Sequence, residues 1–106
     1  MKNFKDELIT FFGEEAKLTI KEFLDLVSEC KKSEVAFVKE IGQKTEAITS
    51  SLLQKKISKD EYKELMDDLL ELQKVETLRI SIKTKSQVQK IVEELRDAVF
   101  NKLFRL

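Results

Sequence analysis

Apolar residues recur every three or four positions along almost the whole chain. Phe4, Leu8, Phe11 and Phe12 open the series and Gly13 follows as a C-cap, so the spacing predicts a short amphipathic helix ahead of residue 13. A helix of that length is not stable alone in water and must dock on the rest of the chain. The same period is then sustained through Ile20, Phe23, Val27, Cys30, Phe37, Ile41 and Ile48, with Leu24, Val38 and Leu52 widening the stripe. It predicts one helix from about 20 to 55, opened by a capping box in which Thr19 pairs with Glu22. Two seam positions, Glu34 and Lys44, are polar. The stretch GQKTEAITSS is poor in large apolar groups. There Gly42, Thr45 and Ala47 either permit close helix contact or weaken the helix, and the second reading is preferred.

The stretch KKISKDEY interrupts the period. Ser58 with Glu61 forms a second capping box, and Asp60 and Glu61 place negative charge in the first turn, where the helix dipole favours it. This is the expected turn between long helices. Tyr62, Leu65, Met66, Leu69, Leu72 and Val75 continue as a stripe, and Val88, Ile91, Val92, Leu95, Val99, Leu103 and Phe104 resume it. Between them, in TLRISIKTKS, Leu78, Ile80 and Ile82 alternate with Arg79, Ser81 and Lys83, the period of a half-buried strand. A strand needs a partner, and the β-leaning run EVAFVKEI is not joined to it by turn residues. On a helix, Val75, Leu78, Ile82 and Ser86 share one face. The reading is therefore helix from 59 to 104, with a kink or short break near 83 to 87, where Ser86 with Gln89 could cap a new start.

The fold expected is all-α: a long antiparallel, coiled-coil-like hairpin of about 20–55 and 59–104, with the short N-terminal helix packed at its open end and residues 1–106 forming one domain. In that register the basic stretch 77 to 92, with Arg79, Lys83, Lys85 and Lys90, faces 22 to 37, where Glu22, Asp25, Glu29 and Glu34 answer it. Phe4, Phe11, Phe12, Phe23, Phe100 and Phe104 all fall at the open end as an aromatic cluster. A two-helix shaft exposes more apolar surface than a monomer normally does. Leu24, Val38, Leu52, Met66, Leu69 and Leu70 are therefore the expected self-association interface, with two hairpins pairing into a helical bundle, a dimer being favoured.

Composition sharpens this picture. Proline is absent and only two glycines occur, which removes the turn chemistry that β-folds need. Apolar residues at 42% are too many for a disordered chain, and charged residues at 38% suit paired helices. A net charge of zero supplies no field toward nucleic acid or anionic lipid, and the basic stretch lacks the aromatics of a single-strand binding site. The chain has no histidine and one cysteine, Cys30, whose expected role is packing on a buried helix face. No catalytic, metal or cofactor set is recognisable; Glu64, Asp67, Asp68 and Glu71 read as a solvated face. The expected function is a non-enzymatic structural or protein–protein interaction module, such as an adaptor, regulatory subunit or inhibitor, residing in the cytoplasm. The alternative is a peripheral membrane-surface protein inserting Phe100, Leu103, Phe104 and the N-terminal phenylalanines.

Overall fold

Helix ends in this chain fall where a local group can satisfy the free backbone N–H and C=O groups. The computed structural model describes residues 3–77 and 80–104, with the backbone alone over 73–77. Five α-helices run through the described residues: α1 Phe4–Phe12, α2 Lys17–Lys31, α3 Ala36–Leu53, α4 Lys59–Thr77 and α5 Ile82–Asp97. A 3₁₀ turn, Glu14–Ala16, leads into α2, and a wider π-type turn, Ala98–Leu103, extends α5. No strand occurs among the described residues, so the fold is all-α.

Asn3 caps α1, its side-chain oxygen accepting from the Asp6 N–H at 2.8 Å. Gly13 ends it at φ 99°, donating its N–H to Ile9 O, which is the C-cap expected of this glycine. The box at Ser58 and Glu61 forms in both directions, each backbone N–H donating to the other's side chain at 3.1 Å. Just before it, α3 closes in a Schellman turn. The Lys56 N–H reaches Ser51 O and the Lys55 N–H reaches Leu52 O, with Lys55 left-handed at φ 62°.

Both long helices are in fact pairs of helices. The stripe of 20–55 is divided at residues 32–35, where Lys32 ends α2 and Val35 precedes α3. Ser33 Oγ accepts the Val35 N–H at 3.1 Å, a local bond that competes with helix continuation. Glu34, the polar seam position, lies in this turn. The expected box at Thr19 and Glu22 is not the start of α2: the helix begins three residues earlier, at Lys17, after Ala16 and with no side-chain cap. The second division precedes Ile82. Ser81 caps α5, its Oγ accepting the Thr84 N–H, so the break comes before the 83–87 segment and the cap is not at Ser86. Ile82 is 86% exposed, off the shared face expected of it. Leu78 and Arg79, and the side chain of Val75, lie outside the described residues.

With two more reversals, the helices close a ring. Each packs on the next, and α5 with its π turn returns to α2. The register is antiparallel throughout. Lys31 pairs with Glu46 at 2.8 Å, Thr49 meets Tyr62, Arg96 reaches Asp67 and Glu71, and Lys102 reaches Glu22. The result is an up-and-down four-helix bundle with α1 laid along α3. Its interior holds Ile20, Phe23, Ile41, Met66, Leu70 and Leu95, each 0% exposed. Gly42 is the point of closest approach. A Cβ there would stand 2.8 Å from Lys31 N and 2.9 Å from Cys30 Cβ, so the glycine permits helix contact and does not merely weaken α3. In the same face Thr49 Oγ1 donates to Thr45 O and accepts the buried Tyr62 hydroxyl at 2.8 Å. Thr45 Oγ1 is buried with no partner.

This closure draws the residues expected at a self-association interface into the chain's own interior. Val38, Leu52, Met66, Leu69 and Leu70 are buried within the chain itself, and Leu24 is half-buried. The four-helix arrangement anticipated from two hairpins is formed within one chain, which folds each long helix once. The expected pairing of the basic stretch also changes. Lys83, Lys85 and Lys90 make no ion pair with described residues, and Glu22 is taken by Lys102.

Candidate interaction surface

The six phenylalanines expected at one end divide between several environments. Phe23 is fully buried. Phe11, Phe12 and Phe104 do come together: the ring centroids of Phe11 and Phe12 are 5.0 Å apart and those of Phe12 and Phe104 5.4 Å, both edge-on. Phe4 lies beside α3, next to Glu46 and Ala47. Phe100 is half-buried, with the Arg96 guanidinium 5.7 Å over its ring. Tyr62, placed on the stripe of the second long helix and not in this cluster, joins it 5.5 Å from Phe104. On one unbroken helix those two rings would stand about 60 Å apart; the break before α5 folds them together. Lys59 over Phe11 and Lys63 over Phe104, each at 5.5 Å, cover the rim of the cluster. Leu103 is buried, and Phe104 is half-buried with its ring against Phe12 and Tyr62. Among the described residues no helix is long and apolar enough to cross a membrane.

Open hollows of about 430 and 510 Å³ lie between α1 and α3, and others lie along the seam between α2 and α5. A groove of about 610 Å³ runs there, floored by Val35, Val38, Val88 and Ile91. It lies beside the turn after α2: Val38 and Val88 are buried at its base, and Val35 and Ile91 are half-buried along it. A second hollow of about 370 Å³ continues it toward the other end, floored by Leu26 and Ala98. Glu29 and Glu94 border both. On α2 the acids Glu22, Asp25 and Glu29 recur at three-four spacing and so share one face. On α5 the matching positions are Lys90, Glu94 and Asp97.

Charges along this seam are partly neutralised at one end only. Lys102 bridges Glu22 at 3.1 Å and Asp97 at 3.9 Å, and the Glu22 carboxylate holds its ammonium above the usual lysine range. Asp25, Glu29 and Glu94 make no ion pair with described residues. Glu29 has an inward effect as well. Burial first, and then this nearby carboxylate, push the Cys30 thiol up to about 11, which leaves it protonated and a poor nucleophile at neutral pH. Cys30 is accordingly a packing residue against Gly42. Among the described residues no group of three or more acids, cysteines or histidines is placed to hold a metal ion. Elsewhere on the surface Leu18, Leu65, Leu72 and Ile82 are exposed as scattered large apolar side chains. Compared with protein-family models, curated proteins and solved structures, the chain matches none.

Proposed function

We propose that this chain is a non-enzymatic helical interaction module, working as an adaptor, regulatory subunit or inhibitor by docking another protein along the α2/α5 seam. One observation carries the reading: a bundle that buries its own core still leaves an elongated, apolar-floored groove between two helices. Grooves of that form accept an amphipathic helix, whose apolar face replaces water on the floor while its polar edges meet the walls. Self-association is not required to cover the interior, because the chain covers it.

A photo-crosslinking residue in place of Gln87, on the rim of the groove, should trap a discrete protein in cells of the source organism. The same residue in place of Glu64, on the exposed face of α4, should not. No adduct at either position, or equal adducts at both, would overturn the assignment of the groove as the docking surface.

A further inference from the structure

We infer that the occupant of the α2/α5 groove is a basic amphipathic helix of a partner protein; the inference rests on the docking reading above and names the chemistry of what docks. The groove supplies two requirements at once. Its floor presents half-buried Val35, Ile91 and Leu26 over buried Val38, Val88 and Ala98, all small or branched apolar groups. Its walls carry Asp25, Glu29 and Glu94, none in an ion pair with a described residue, and Asp97, which accepts from Asn101 Nδ2 at 2.8 Å and meets Lys102 at 3.9 Å. Lys90 is the single cation on the first stretch and Lys102 on the second, where Glu22 already engages it.

The molecule as a whole has no net charge, so this excess of acid is local and not a reflection of an acidic chain. A neutral or acidic helix would leave those carboxylates facing low-dielectric contact without counter-charge, which is costly. A helix with Lys or Arg on both flanks of an apolar stripe would lay its stems over Ile91 and Val35 and its charges against Asp25, Glu29 and Glu94. The paired hollows extend beside α2, whose 15 residues span about 22 Å, so the matching helix has roughly four turns. A second copy of this chain is a poorer fit. Its exposed leucines on α4, Leu65 and Leu72, are bordered by Glu61, Glu64 and Asp68, the same sign as the groove.

The test uses the full chain, isotope-labelled, titrated with two synthetic helical peptides of about 16 residues that differ only in charge, one of leucine and lysine and one of leucine and glutamate. The leucine–lysine peptide should bind saturably, with amide shifts confined to α2, the 32–35 turn and α5, and the leucine–glutamate peptide should not bind. Replacing Asp25→Lys and Glu94→Lys together should weaken binding about tenfold. Replacing Glu64→Lys and Asp68→Lys, an equal change of net charge on α4, should leave it nearly unchanged. All four sites are exposed, so the variants fold, and circular dichroism checks it. Ile91→Gln tests the floor independently of charge and should also weaken binding. Shifts mapping to α4, equal weakening by both charge pairs, or binding of the acidic peptide would overturn the inference. So would concentration-dependent shifts along α2 and α5 in the free protein with a doubled mass, which would make a second copy the occupant. If the basic peptide fails while crosslinking at position 87 still traps a partner, the docking surface stands and its assigned chemistry falls.

Discussion

Gly42 shows how much one missing methyl can organise. In a helix interior glycine is about 1 kcal/mol less favourable than alanine, so propensity alone makes Gly42→Ala stabilising. The space denies it: the added Cβ would stand 2.8 Å from a backbone nitrogen, which cannot swing aside as a side-chain tip can. The C-terminal turn of α2 would have to move, and overpacking of that kind costs about 1–3 kcal/mol. Urea unfolding should therefore show Gly42→Ala less stable than the parent; a gain in stability would mean the helices are not in contact there. Tyr62 and Cys30 give the residue scale a pH signature. Burial pushes the Tyr62 hydroxyl up to about 12, partly opposed by its bond with Thr49, and the Cys30 thiol up to about 11. Both groups are neutral when protonated, so the folded state holds these protons after the unfolded chain has released them. Their stabilising contribution is complete below the unfolded values of about 9 and 10 and declines as pH rises toward 11 and 12. Acid has no effect through either group. Unfolding followed from about pH 8 to 11 should show Tyr62→Phe and Cys30→Ala losing less stability than the parent over that window; identical slopes would refute the assignment.

At the scale of elements, the division of the second long helix is the feature that decides the architecture. Ser81 and Ser86 offer competing starts for α5, and both have a plausible local partner in sequence. Ser81 is the one whose hydroxyl accepts from the backbone, at the Thr84 N–H, and also meets the Thr84 side chain. Removing an N-cap hydroxyl costs about 1 kcal/mol, so Ser81→Ala should lower stability by that amount while Ser86→Ala, at an exposed interior position, should change it by a few tenths. The reverse ranking would move the break to where the sequence pattern first suggested it. Helical period and the turn at residues 54–58 were legible in the sequence because apolar spacing, Ser58 and Glu61 all agree there. The break at residues 32–35 was not. Cys30, Phe37 and Ile41 keep their spacing across it, and the only local signals are a serine that can bond the backbone two residues on and a glutamate on the seam. Period reports which face is apolar; it does not report whether the axis turns between two stretches of that face. The groove inherited the same blindness, since its floor joins Val35 and Val38 to Val88 and Ile91 only once both breaks exist.

For the molecule as a whole, the two breaks let one chain bury what two unbroken hairpins would bury between them. Two unbroken hairpins would need each other to cover Met66, Leu69 and Leu70; four shorter helices cover them alone. The two arrangements differ in a measurable way that does not depend on any partner. If the core were shared between copies, unfolding would include dissociation and the Tm would rise with protein concentration. If one chain owns it, the Tm is independent of concentration. We expect no shift over about a hundredfold dilution, and we expect Leu70→Ala, at a position 0% exposed, to cost about 2–5 kcal/mol by the same amount at every concentration. A Tm that climbs with concentration in the parent would restore the core to an interface between copies. The closed ring of helices would then be one half of a larger bundle, and the α2/α5 seam would have to be sought in the dimer.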